Sequence, residues 1–300
     1  MAIEVGTSKL KYYWQVYLLV ALPLVLVAVF NYYPIFNGFV HIFYNWDGDM
    51  IEEFTGLDNL RKVLHDTDLA KSFVVVGVFI ASNLLKMVLP ILAAVVLHHV
   101  INERANYLYR LMFVVPMVVP AMVGLLMWKY FYEPNQGVLN ELLRSLDLLK
   151  ATEIIQWLSN EALVIPSLVF AGFPWVGAFG VLIYLAGLQN IPEDVYEAAD
   201  IDGAGAFRIF WQIELPLIMT QVRINLILMM IGTVQDWQSV YLYVGESGGP
   251  NGVATVPGLL IFREAFSRGY FGYGCAVGFL LFLVTLLLTF LNNKFVRTQK

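Results

Sequence analysis

Six runs of this chain are long enough and apolar enough to cross a lipid bilayer, and this constrains its fold more than anything else in it. They cover 12–36, 73–97, 108–131, 162–188, 215–237 and 270–291. A helix that spans the hydrocarbon core needs roughly 20 predominantly apolar residues. Inside lipid the backbone must satisfy its own hydrogen bonds, so such runs read as helices. The last run contains no charged residue. The first is too long, and too poor in a small-residue cleavage site, for a removable signal peptide, and is expected to be a retained span. Composition agrees: 59% of residues are hydrophobic and 14% charged, where a soluble domain carries about 25% charged residues. The expected fold class is an all-α integral membrane protein in one transmembrane domain.

An even number of spans puts both termini on one side. With the N-terminus inside, the inner segments hold Lys9, Lys11, Arg104, Arg110, Arg208, Lys294, Arg297 and Lys300. The outer segments hold Arg61, Lys62, Lys71, Lys129, Arg144, Lys150, Arg263 and Arg268. The numbers balance, but the inner segments are shorter and both termini are basic, which favours cytoplasmic termini. Acid gathers in the outer segment 37–71, at Asp47, Asp49, Glu52, Glu53, Asp58, Asp66 and Asp68, and reads as a solvated loop. Leu139, Leu142, Leu143 and Leu146 recur at helical spacing in the outer segment 132–161 and predict an amphipathic piece. The single cysteine, Cys275, excludes an intrachain disulfide and cysteine-cluster metal sites.

The loop 190–215 breaks the apolar pattern. Pro192 suits the first helical position. Glu193 and Asp194 follow in the first turn, where the helix dipole favours anions. Val195 and Ala199 share a face, and Gly203 can take the left-handed conformation that ends a helix. A second helix is expected over 204–213. Small residues at Ala198, Ala199, Gly203 and Ala204 allow close backbone approach. On local physics alone this is either a helical connector or a surface offered to a soluble partner.

The loop resembles the "EAA" loop of permease subunits of ATP-binding-cassette importers. That pattern is EAA, two residues, DGA, then a hydrophobic residue and LP. Here it is met by Glu197-Ala198-Ala199, Asp202-Gly203-Ala204, Ile213 and Leu215-Pro216. Tyr33-Pro34, Arg110 through Pro116, Pro120, Trp128-Lys129-Tyr130-Phe131, Pro134, Gly137, Leu139-Asn140, Gly248-Gly249-Pro250 and Ala265-Phe266 extend the resemblance over 12–296. It points to the carbohydrate branch that contains the maltose and glycerol-phosphate permeases. One departure is that Thr220 or Gln221 stands where a proline follows LP, which puts the bend of the fifth span in doubt.

The resemblance implies a six-helix type I importer transmembrane domain over 12–296, with cytoplasmic segments 1–11 and 297–300, in a bacterial or archaeal cell membrane. It implies a second homologous permease, a cytoplasmic ATPase dimer that binds ATP and Mg, and an extracytoplasmic solute-binding protein that delivers a sugar. ATPase coupling would fall on Glu197, Ala198, Ala199, Asp202, Gly203 and Ala204. The substrate path would fall on Met117, Phe170, Gly172, Trp175, Met229, Thr233 and Asp236. Met117 and Met229 depart from the polar or aromatic residues of the maltose member, so its specificity is not carried over. The alternative cargo is a non-sugar solute such as a phosphorylated polyol.

The residues themselves bear on these roles. Sugar recognition uses aromatic faces and hydroxyl partners, which Phe170, Phe173, Trp175, Thr233, Gln235 and Asp236 could supply. Gly172 and Pro174 predict a break in the fourth run. Lys86 is a charge midway along the second run and needs an explanation, as a structural pair, a backbone contact or a functional group. Arg223 can snorkel. Tyr12, Tyr13, Trp14, Tyr270 and Tyr273 fit interface belts, and Gly274 with Gly278 fits helix packing. There is no GxxxxGK[ST] phosphate loop, so ATP hydrolysis is expected in another chain. An embedded enzyme is disfavoured: no HExxH exists, and adjacent His98 and His99 would not share a helix face. A secondary transporter would leave the polar loop unexplained. No cofactor, metal or nucleic acid is expected for this chain.

Overall fold

The structure is a computed structural model and describes residues 7–50, 52–100 and 102–295. The expected tail at 297–300, and residues 1–6 of the N-terminal segment, lie outside the described residues.

Among the described residues three helices are long and apolar enough to span without a break: Tyr13–His41, Thr67–His98 and Phe271–Lys294. The other three runs are broken helices, as Gly172 and Pro174 predict for the fourth. Arg104–Val118 and Ala121–Phe131 meet at 88°, because Pro120 forces Val119 into extended backbone at ψ 126°. The fourth run divides into Val164–Phe170 and Ala178–Leu188. In the fifth, Ala206–Leu217 and Met219–Gln235 meet at 67°. That bend therefore exists without the missing proline. It is made by Ile218, whose φ/ψ of −90°/11° is not helical.

The contacts divide the chain into two units. One takes the described residues up to His65 with Glu264–Phe279. Its acidic segment is more ordered than a solvated loop: Tyr44–Trp46 pairs antiparallel with Glu52–Phe54. The hairpin is held from within. Asn59, 4% exposed, donates to the carbonyls of Ile42 and Tyr44 at 3.0 and 2.8 Å. The His41 ring lies 4.0 Å from that of Trp46.

The other unit runs Asp66–Arg263 and continues from Leu280. Lipid tails are as apolar as leucine, so helices here associate through close packing rather than hydrophobic transfer. Helix Ala178–Leu188 packs on Val88–His98, with Ala94, Val181, Tyr184 and Leu188 each 0% exposed. Gly187 makes the approach of the fifth segment possible: a Cβ there would lie 2.7 Å from the Gln221 side chain. A second cluster joins Val75, Val76, Val164, Val234, Val240 and Leu259. The outer segment folds around Asn140, 0% exposed. Its amide donates to the carbonyls of Pro134 and Ile155 and its oxygen accepts from Trp157 Nε1. The predicted amphipathic piece is the helix Val138–Ser145.

Candidate functional site

The second unit encloses a cleft of about 610 Å³. Its walls come from Thr67–Lys86, Ala121–Phe131, the break after Phe170, Met219–Gln235 and Gln238–Val244. Ser82, Asn83, Lys86, Thr233, Asp236 and Ser239 bring polar atoms to a lining otherwise made of aliphatic, aromatic and glycine residues.

Asn83 and Thr233 join two walls. The Asn83 amide donates to Thr233 Oγ1 at 2.9 Å, and that hydroxyl donates to the Met229 carbonyl at 2.8 Å. Each polar group thereby satisfies another in a low-dielectric setting, where an unpaired one is costly. Asp236 ends the helix Met219–Gln235 in extended backbone, and one carboxylate oxygen accepts the Ser239 N–H at 3.1 Å. Its side chain remains exposed to the cleft.

Lys86 closes the helix Thr67–Lys86, one turn past Ser82 and Asn83. Pro90 has no N–H to return to the Lys86 carbonyl, so the helix is jointed here at Met87. Among the described residues no carboxylate forms an ion pair with Lys86. Its ammonium instead lies 5.3 Å from the centroid of the Trp175 ring, a separation at which the ring quadrupole attracts a cation.

The ring is held in place by the break in the fourth run. Gly172 has φ +83° and Trp175 φ +58°, both left-handed, and the second is rare for an aromatic residue. At the break the Phe170 carbonyl accepts the Phe173 N–H at 3.2 Å. The indole Nε1 donates to that carbonyl and to the Ala171 carbonyl at 3.2 and 3.1 Å. Phe170 and Phe173 stand edge-on to the indole, their centroids 5.7 and 5.2 Å away.

Of the residues expected on the substrate path, Gly172, Met229, Thr233 and Asp236 line this cleft. Trp175 reaches it through Lys86. Phe170 lines a separate apolar cavity of about 390 Å³ beside Tyr132, Leu139 and Trp157. Met117 is 51% exposed on the helix Glu103–Val118 and does not line the cleft. Ser82, Asn83, Trp128, Ser239 and Tyr243 also line it and were not anticipated. The signal for two of them was present: Ser82 and Asn83 stand four and three residues before Lys86, a spacing that puts each on its helix face within an apolar run.

The loop after the fourth segment forms the helix Glu193–Ile201. Pro192 is its N-cap in extended backbone at ψ 142°, one position outside the expected place. Gly203 takes φ +69° and closes the helix, with its N–H on the Asp200 carbonyl and that of Ala204 on Ala199. The second helix begins at Ala206 rather than 204. Ala199 is buried and Ala204 half-buried, while Glu197, Ala198, Asp202 and Gly203 are exposed. A Cβ at Gly203 would meet nothing within 4 Å. The close approach expected there is not made inside this chain.

The profile of the family described as "Binding-protein-dependent transport system inner membrane component" matches residues 86–299. The chain is 32% identical to the trehalose/maltose transport system permease protein MalF of Thermococcus litoralis, over 98% of each chain. It is 30% identical to the diacetylchitobiose uptake system permease protein NgcF of Streptomyces coelicolor, over 91% of this chain and 80% of that one. Its fold is similar to a chain of a bacterial ABC transporter involved in import of the acidic polysaccharide alginate. The TM-score is 0.81 at 19% identity, covering 97% of both.

Proposed function

Given that the chain belongs to the family of binding-protein-dependent transport system inner membrane components, we propose that it is the permease subunit of an ATP-binding-cassette sugar importer. It forms half of a translocation path, and a homologous permease forms the other half. The observation that carries this reading is the polar cleft. Ser82, Asn83, Thr233, Asp236 and Ser239 offer hydroxyl, amide and carboxylate partners at the joint between broken helices. Broken helices with polar linings at membrane depth are how transport proteins expose backbone and side-chain groups to cargo. The relatives named for trehalose/maltose and diacetylchitobiose support a sugar as that cargo.

Within the cleft, Asp236 accepts sugar hydroxyls and Lys86 donates to hydroxyl or ring oxygens. Trp175 holds Lys86 rather than offering a free stacking face. The loop 190–215 meets a separate cytoplasmic ATPase through the exposed Glu197, Ala198, Asp202 and Gly203. ATP and Mg belong to that partner. The family's description supports delivery by an extracytoplasmic binding protein. Both termini, 1–11 and 297–300, face the cytoplasm. Purification of the tagged chain from its native membrane, with mass spectrometry of what accompanies it, tests the reading. A second permease and a nucleotide-binding ATPase are expected. A chain that arrives alone and drives uptake with an ion gradient contradicts it.

A further inference from the structure

A buried carboxylate sits where the docking loop rejoins the membrane helices. Glu214 is 1% exposed. It ends a short wide turn, Phe210–Glu214, in which the backbone pairs one residue further than in an α-helix. Such turns recur at functional sites. A carboxylate removed from water is costly unless charged or polar donors meet it, and two do. His99 Nε2 lies 2.7 Å from Glu214 Oε1, and the Tyr196 hydroxyl donates to the same oxygen at 3.3 Å. The Tyr196 oxygen also lies 3.2 Å from His98 Nε2. The two imidazoles converge, their centroids 5.2 Å apart. The helical period separates adjacent side chains, but the helix ends at His98 and His99 leaves that period.

These residues come from three different places. Tyr196 stands on the helix Glu193–Ile201, beside Glu197. His98 and His99 end the segment that begins at the cleft with Lys86. Glu214 lies on the helix before the 67° bend, and its carbonyl accepts the N–H of fully buried Ile218 at 3.0 Å. Beyond that bend lies the helix that carries Thr233 and Asp236. Burial, and then the charge of Glu214, push the Tyr196 phenol above its ordinary range, so it remains a donor at physiological pH. A cavity of about 600 Å³ opens beside the cluster, lined by His98, His99, Glu193, Tyr196 and Asp200.

We propose that Glu214 is a positioning residue for coupling: held by Tyr196 from the docking helix and by His99 from the second segment, it makes the docking helix and the near ends of both cleft-lining segments move as one body. The inference rests on the reading of the loop as the ATPase contact. The two segments are already joined at the cleft by Asn83 and Thr233. A second tie at the loop end passes a displacement of the docking helix to both segments at once, on the near side of the joint at Met87 and of the bend at Ile218.

The test uses the whole transporter, with second permease, ATPase and binding protein, in lipid nanodiscs. Glu214→Gln, Tyr196→Phe and the exchanged pair His99→Glu with Glu214→His are compared with wild type. ATP hydrolysis is read with and without sugar-loaded binding protein, and ATPase content is measured for each complex. Tyr196→Phe removes one oxygen only and should fold. Stimulation by the binding protein should fall about fivefold or more per assembled complex in both single variants, the scale of a lost coupling free energy. The exchanged pair should recover a large part of it. Wild-type stimulation per complex in the single variants, or a loss confined to ATPase content, overturns the inference. A wild-type chain that captures no ATPase overturns instead the reading beneath it.

Discussion

The Lys86 ammonium and the Trp175 ring, 5.3 Å apart at the mouth of the break in the fourth run, account for one another. The ring gives a membrane-embedded charge a partner that needs no carboxylate. The charge, together with the carbonyls of Phe170 and Ala171, fixes a tryptophan at φ +58°. Such contacts are worth about 0.5–2 kcal/mol, more where water is excluded.

Substitutions at the two positions should therefore not add. Lys86→Met and Trp175→Ala are each expected to lower uptake per assembled complex, and the double variant to be little worse than the more damaging single. The expected coupling is about 1 kcal/mol in a double-mutant cycle. Strict additivity would show that the ring meets cargo independently of Lys86.

The link between Asn83 and Thr233 predicts a stability effect with a specific chemical pattern. Thr233→Val leaves the Asn83 amide without its 2.9 Å acceptor. The loss should be about 1 kcal/mol, the ordinary scale for an interhelical hydrogen bond in a membrane. Thr233→Ser keeps the hydroxyl and should melt near wild type. Equal melting temperatures for the Val and Ser variants would remove the hydrogen bond from the account.

At Gly203 the structure separates two effects. A side chain meets nothing inside this chain, so the intrinsic cost is that of left-handed backbone, about 1–2 kcal/mol for an ordinary L-residue. Asparagine tolerates that conformation. If the exposed face receives the ATPase, Gly203→Asn should retain more copurified ATPase than Gly203→Val, and both should insert normally. Equal, full retention by the two would place the contact elsewhere on the loop.

Much of this was legible because the constraints were local. Apolar length marks a span, Gly172 with Pro174 marks a break, and Gly203 marks a left-handed stop. What was illegible depends on tertiary contact. Nothing near Lys86 in sequence names Trp175, since the pairing needs the fourth run to break and turn its ring back. His98 and His99 read as diverging because the helix was assumed to continue through both. Ile218, where the fifth run bends, is neither proline nor glycine; it is fully buried and follows Pro216 by two residues. Met117 depends on tertiary placement in the same way. It occupies the expected place in the chain, yet on the helix before the 88° bend and away from the cleft.

The most direct measurement is ATP-driven uptake by proteoliposomes that hold the complete transporter, its binding protein, and labelled maltotriose or diacetylchitobiose as probes, comparing wild type with Asp236→Asn. Asp236 keeps one oxygen on the Ser239 N–H and presents the other to the cleft. The substitution should therefore slow accumulation per assembled complex while ATPase content stays at the wild-type level. Accumulation that needs no ATP, or that is indifferent to Asp236→Asn for every probe the wild type carries, would contradict the account.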